Sequence, residues 1–262
     1  MKSCELIAAV ALCFTYLGCV GTTGGELFEI ESYAAGVDEA ALPFVNSRGY
    51  RVTLSEARVF VGGVYLNRSR PASVAADTSC TLAGVYVAEA QGGAEIDLLS
   101  PQPQQLPGRG VATNERALSG EVWLTRGDVD RVESAGEVLK IAGTAERDGH
   151  SLAFSGRLSI GKNRVIAPSN EALPGQNPIC KQRIVSPIPV DLQGSPGDAL
   201  LLRVDVRAMF SNVDFATLEQ TSGGEHVFAD RSGVNQASDN LFAGLRRASG
   251  VYQLSWENEV VP

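Results

Sequence analysis

The strongest constraint on the fold is a pair of alternating runs that flank an Asp-Gly dipeptide. Residues 137–147 alternate between apolar and polar side chains, residues 150–161 do the same, and Asp148-Gly149 lies between them. Alternation with a period of two is typical of a strand with one buried face. Asp-Gly favours a tight hairpin turn because both central positions adopt positive φ. The sequence therefore predicts an antiparallel hairpin over residues 137–161.

Similar short runs recur along the chain, separated by segments rich in glycine and proline. Further strands are predicted at residues 26–33, 50–66, 81–89, 95–99, 118–126, 180–192, 198–210 and 251–256. Within 50–66 the apolar phase changes, which predicts a bulge near Ser55-Glu56. Gly62-Gly63 is predicted to break or turn the same run. The run 180–192 contains Pro187 and Pro189, so it is predicted to be an edge strand.

One helix is predicted near the C-terminus, at residues 235–248. Asn235 can cap it and Gly250 stops it. About ten short strands with a single helix indicate an all-β protein, and we expect a β-sandwich with a β-barrel as the alternative. An outer-membrane barrel is disfavoured, because its regular ten-residue alternation is missing.

The N-terminus resembles an export signal. Residues 6–17 form an apolar run of about a dozen residues preceded by Lys2. Such a run is shorter than the roughly 20 residues of a membrane-spanning helix but fits a signal peptide. We predict a signal peptide over residues 1–18. The alternative is a buried first helix of a cytosolic domain.

The end of this run, Tyr16-Leu17-Gly18-Cys19, resembles the lipobox of bacterial lipoproteins. Gly18 and Cys19 match the pattern, whereas leucine stands one position later than usual. The resemblance implies that Cys19 is lipidated, and Val20 resembles the pattern of lipoproteins sent to the outer membrane. The chain is then a cell-envelope lipoprotein facing the periplasm or the exterior. Alternatively, an ordinary signal peptidase cuts nearby and the protein is secreted freely.

The remaining chain divides into a tether and one domain. Residues 19–25 form the lipidated cysteine and a flexible tether, and residues 26–262 form a single β-sandwich domain. The net charge is −8 and remains so after residues 1–18 are removed, because they contain one lysine and one glutamate. This balance argues against nucleic acid as a partner and against electrostatic binding to anionic lipid. The expected membrane contact is therefore the lipid anchor.

Two of the five cysteines remain unassigned after the leader and Cys19 are set aside. Cys80 and Cys180 form an even pair in an exported chain, which predicts one disulfide bond. It would close a loop of about 100 residues and stabilise the fold by about 4–5 kcal/mol in the chain-entropy view. A thiol metal site or a redox pair is the alternative, although the chain lacks a C-x-x-C motif.

No catalytic motif emerges from the sequence. His150 falls in the predicted hairpin turn and His226 in a predicted loop, and two histidines cannot form a three-histidine zinc site. The Gly-x-Ser-x-Gly elbow of many hydrolases is absent. We therefore expect a non-enzymatic protein without a cofactor, and a hydrolase is the least favoured hypothesis. Trp123 and Trp256 are interpreted as core or interface residues.

Two acidic stretches place oxygen atoms at alternate positions, as calcium loops do. They are Asp128-Val129-Asp130 and residues 230–235. Neither fits the twelve-residue EF-hand loop, and an Asx-rich turn leading into the helix also accounts for the second. No metal ligand is assigned.

Residues 49–59 (GYRVTLSEARV) resemble a strand of exported bacterial β proteins, and Leu202–Val206 followed by Met209-Phe210 resembles a later strand. In outline this is similar to the methanobactin-associated periplasmic copper-binding proteins. That resemblance implies copper held by histidine and a modified tryptophan, but neither histidine here matches a family ligand. The sequence thus predicts a non-enzymatic binding or structural module whose protein or small-ligand partner stays open. The alternative is a periplasmic copper or calcium protein, with His226 as the first residue to test.

Overall fold

The computed structural model describes residues 25–70, 85–131, 133, 136–164, 179–258 and 260. This part of the chain is mostly β. Its fifteen strands are β1 Leu27–Ile30, β2 Ser32–Gly36, β3 Phe44–Val45, β4 Arg51–Asn67, β5 Tyr86–Asp97, β6 Gln104–Gln105, β7 Gly110–Thr113, β8 Arg116–Trp123, β9 Glu137–Arg147, β10 His150–Ser159, β11 Ile184–Gln193, β12 Ala199–Val204, β13 Glu219–Gln220, β14 His226–Phe228 and β15 Tyr252–Glu257. The helices are α1 Ile179–Arg183, α2 Val206–Met209 and α3 Gln236–Leu245, with 3-10 turns at Lys162–Arg164 and Phe215–Thr217. Within these ranges, no helix has the length and apolar character needed to cross a membrane.

Eleven strands form one large sheet. Its main order is β1-β7-β5-β4-β9-β10-β14-β13, with β3 and β8 also paired to β4 and β11 paired to β8. The 17-residue strand β4 organises this sheet. Its first half pairs with β9, and its second half lies between β5 and β8. The register with β9 shifts between Leu54 and Glu56, so the predicted bulge is confirmed.

The expected break at Gly62-Gly63 is wrong, because β4 continues through both glycines. Close approach by neighbouring groups explains their presence. A Cβ at Gly62 would lie 2.2 Å from the Thr125 carbonyl oxygen, and one at Gly63 would lie 3.0 Å from the Tyr65 ring. The glycines therefore make room for packing rather than for a turn.

The predicted hairpin is confirmed. Strands β9 and β10 pair antiparallel, with Arg147 opposite His150 at the turn. Asp148 has a φ of 53° and Gly149 a φ of 78°, as a tight turn of this kind requires. Phe154 and Leu158 on β10 are buried in the core.

The second sheet has four strands in the order β15-β12-β2-β6. The predicted strand 198–210 ends early at Val204, because Asp205 caps α2 through a 3.0 Å hydrogen bond from the Arg207 amide. The helix predicted at residues 235–248 is confirmed as α3, although it ends at Leu245, and Asn235 Oδ1 accepts from the Ser238 amide at 2.9 Å. The expectation of a single helix is wrong, because the short helices α1 and α2 are also present. One cluster of buried apolar side chains draws on strands of both sheets, for example Val64, Phe154 and Leu202.

Candidate functional site

Strands β4 and β8 place several polar and aromatic side chains side by side on one face of the large sheet. Their register places Gly63 opposite Trp123, Tyr65 opposite Glu121 and Asn67 opposite Ser119. Side chains alternate along a strand, so these residues share one face while Val64, Leu66 and Val122 share the other. The second set joins the apolar core. We call the first set, completed by a residue of β5, the Glu121 cluster: Tyr65, Asn67, Tyr86, Glu121 and Trp123.

The carboxylate of Glu121 is sealed inside this cluster, with 0% of the residue exposed. Asn67 Nδ2 donates a hydrogen bond to Oε1 at 2.6 Å, and the Tyr86 hydroxyl donates to Oε2 at 3.4 Å. Burial raises the pKa of the carboxyl, whereas Trp123, Tyr86 and Asn67 act to lower it. No lysine, arginine or histidine among the described residues pairs with it. Glu121 is thus a buried acid without a cationic partner in this part of the chain.

Three aromatic rings surround the acid. The Tyr65 ring lies 4.4 Å from the Trp123 ring and 5.2 Å from the Tyr86 ring, measured between centroids. Burial, supported by the charges of Glu89 and Glu121, raises the pKa of Tyr65 to about 12. Burial also raises the pKa of Tyr86. Both hydroxyls therefore stay protonated at neutral pH and serve as hydrogen-bond donors.

One polar atom of the cluster, Asn67 Oδ1, is buried without a hydrogen-bond partner. The Trp123 indole N–H makes no hydrogen bond of normal geometry, but it interacts with Glu121 and lowers the pKa of that carboxyl. Leaving a buried acceptor unsatisfied costs about 1–3 kcal/mol, so Asn67 Oδ1 marks a place where a donor group is missing. The rim of the cluster is open, because Tyr86 is 37% exposed and Trp123 and Glu89 are partly exposed. The edge of the cluster is therefore accessible to solvent, whereas Glu121 is fully buried.

A groove of about 420 Å³ lies on strands β4, β9, β10 and β14, but its charged side chains already have partners. Its charged residues are engaged with one another or with neighbours. Lys140 Nζ lies 2.7 Å from Glu56 Oε1, and Arg157 lies 3.0 Å from Glu137. Exposed ion pairs of this kind are typical of a solvated sheet face.

The acidic stretches considered for calcium are occupied by protein groups. Asp230 accepts from the Ser159 amide at 2.7 Å, from its hydroxyl at 2.6 Å and from Arg164 Nη2 at 3.0 Å. Asn235 caps α3, and Asp128 pairs with Arg131 at 2.8 Å. Among the described residues, no three His, Cys, Asp or Glu side chains are grouped closely enough to hold a metal ion.

The structure does not bring the two histidines together. His150 is exposed at the start of β10. His226 begins β14, where it pairs with Phe154, so the expected loop at that position is wrong. Phe154 lies four positions after His150, a distance of about 13 Å along a strand. The imidazole Nδ1 of His226 is buried without a hydrogen bond.

The cysteine assignments fall largely outside the described residues. Cys19 and Cys80 both lie there, so lipidation and the disulfide bond stay predictions. Cys180 is buried in α1. Trp256 packs against the core beside Gly194, as the sequence suggested.

Sequence reasoning did not identify the Glu121 cluster. A signal was present, because Glu121 and Trp123 are two residues apart on a predicted strand and therefore share a face. Their partners on β4 and β5 could not be assigned without the strand pairing.

No protein family, no curated protein and no solved structure matches this chain.

Proposed function

We propose that this chain is a cell-envelope lipoprotein, anchored in the outer membrane through Cys19, whose single non-enzymatic domain binds a small organic cation at the Glu121 cluster. The observation that carries the proposal is the sealed carboxylate of Glu121, which lacks a cationic partner among the described residues. The domain is a β-sandwich in this proposal, supported by the apolar cluster shared between its two sheets.

A bound cation would supply the positive charge that the Glu121 cluster lacks. A buried charge without a partner costs free energy, and buried acids whose pKa is raised by their surroundings gather at functional sites. Aromatic ring faces attract cations by about 0.5–2 kcal/mol each, depending on desolvation. The exposed part of Tyr86 and the partly exposed Trp123 provide such faces in front of the acid. Ring quadrupoles and the negative field of Glu121 then act on the same ligand.

An organic ammonium fits better than a metal ion. Calcium takes about six to eight oxygen ligands, whereas the cluster holds one carboxylate whose oxygens already accept from Asn67 and Tyr86. Ammonium groups need fewer acceptors, and their carbon substituents pack on aromatic rings.

Isothermal titration of the full, lipid-anchored protein in detergent tests the proposal, with ethanolamine and tetramethylammonium as probes at neutral pH. We expect binding no tighter than about micromolar, given the affinity ceiling for ligands of four or five heavy atoms. Glu121→Gln should weaken it at least tenfold, since two charges about 6 Å apart at an effective dielectric of about 20 attract by about 2–3 kcal/mol.

The matched control is Glu56→Gln, which removes the same charge from a surface ion pair with Lys140. Its affinity should equal that of the unaltered protein. Absence of heat with both cations, or equal weakening by the two variants, would rule out the Glu121 cluster as the site.

A further inference from the structure

The Glu121 cluster continues into a row of residues that reaches the edge of the large sheet. Strand register places Glu121, Tyr65, Glu89, Val111 and Glu29 side by side on strands β8, β4, β5, β7 and β1. Neighbouring strands lie about 4.8 Å apart, so Val111 is about 10 Å from Tyr65. The buried acid is therefore connected to the edge strand β1 along one face of the sheet.

Exposed apolar side chains lie on the same face between the cluster and the edge. Leu27 precedes Glu29 by two residues, so it shares that face, and 72% of it is exposed. Val111 is also exposed. Together, Leu27 and Val111 form an exposed apolar patch on the sheet face. The hydrocarbon region of a membrane can cover such a patch.

The position of the expected anchor keeps this edge close to the membrane. Cys19 precedes Leu27 by eight residues. Because a chain extends by at most 3.3–3.6 Å per residue, these eight residues span no more than about 26–29 Å. A lipid on Cys19 therefore holds β1, and the face that carries Leu27, within that distance of the bilayer surface.

The negative charge of this row of residues favours lipid head groups that carry an ammonium group over purely anionic ones. Glu29, Glu89 and Glu121 are acidic, and among the described residues the ion pair that reaches the row joins Arg109 to Glu29 at 3.4 Å. An acidic face is repelled by anionic head groups and attracted by head-group ammonium. A phospholipid with an ammonium head group presents that cation beside the apolar region in which Leu27 and Val111 can insert.

We infer that the organic cation bound at the Glu121 cluster is the ammonium head group of a membrane phospholipid. The cluster contacts this head group when the sheet face formed by β1 and β7 lies against the bilayer. This inference rests on the function proposed above. It adds the source of the ammonium group and the surface that approaches it.

The test places an environment-sensitive dye on the full, lipid-anchored protein through Leu27→Cys. The protein is reconstituted into vesicles of phosphatidylethanolamine with a minority of phosphatidylglycerol, or of phosphatidylglycerol alone. Val45→Cys is the matched control, because Val45 is 67% exposed on β3 and pairs near the start of β4, opposite Arg51. Tyr65 lies fourteen positions after Arg51 on β4, about 45 Å along an extended strand. The unaltered protein, carried through the same labelling, gives the background from native thiols.

We expect the Leu27 dye to shift to the blue in the ethanolamine vesicles only, with no change at Val45 and no shift in Glu121→Gln. A Leu27 signal that is equal in the two lipid mixtures overturns the lipid inference. If free ethanolamine still binds in detergent, the proposed cation site survives that result. If neither free ethanolamine nor tetramethylammonium binds, the proposed function itself fails.

Discussion

At the scale of single residues, Glu121 shows why burial is harder to predict than secondary structure. Alternation along β8 indicates a strand and places Glu121 on the face opposite Val122, where an acid is ordinarily solvated. The side chains that cover it come from β4 and β5, more than thirty positions away in sequence. Their arrangement depends on strand pairing, which no local pattern encodes.

Glu121→Gln should stabilise the fold at neutral pH. Burial raises the pKa of Glu121 in the folded state, so the contribution of this group to stability is full below the unfolded pKa of about 4.3 and is lost as pH rises through the folded pKa. Glutamine keeps an acceptor for Asn67 without the charge. We expect the free energy of unfolding at pH 7 to increase, because the neutral amide avoids the cost of holding a charge in this buried site.

Urea unfolding at pH 7 and at pH 4 measures this difference, which should shrink at the lower pH. Glu56→Gln, at a partly exposed ion pair with Lys140, serves as the control and should change stability by under about 1 kcal/mol. A Glu121→Gln protein that is less stable than the unaltered one at pH 7 would contradict the assignment.

At the scale of elements, local signals predict what depends on neighbours in sequence. The hairpin at Asp148-Gly149 and the cap at Asn235 are both found where the sequence places them. The parallel pairing of β10 with β14 and of β12 with β2 joins segments separated by long stretches of chain, and no turn motif specifies it. The predicted break at Gly62-Gly63 is wrong for the same reason, since the group that requires a glycine at position 62 is the Thr125 carbonyl, which is distant in sequence.

Gly62→Ala should therefore destabilise the large sheet. The added methyl would lie 2.2 Å from a backbone oxygen of Thr125, which cannot move without disturbing the chain that follows β8. Overpacking of this kind costs about 1–3 kcal/mol. Gly223→Ala is the control, because its nearest neighbour is the Thr221 hydroxyl at an ordinary 3.8 Å. Denaturation midpoints compare the two, and an unchanged midpoint for Gly62→Ala would show that the strand adapts freely.

At the scale of the whole molecule, the proposed role depends on where the domain is held. The described residues supply a folded β domain with a cluster suited to a cation. The anchor at Cys19 would supply its location, and location decides which ammonium compounds the cluster meets.

Cys19→Ser should release the protein from membranes. Without the thiol no acyl chain can be attached, and the acidic domain has little attraction for an anionic bilayer. Fractionation of cells into soluble and membrane parts, followed by detection of the chain, measures the change. A Cys19→Ser protein distributed like the unaltered one would show that lipidation does not hold it.

The edges of the large sheet affect how copies of the protein interact when they are crowded on a membrane. Its edge strands are β1, of four residues, β3 and β13, of two each, and β11, of ten residues that include Pro187 and Pro189. Short edge strands expose few free backbone groups and prolines lack an N–H donor, so a neighbouring copy finds little backbone to pair with. Many copies can then occupy one region of membrane at high density and diffuse separately, without pairing edge to edge into continuous sheets.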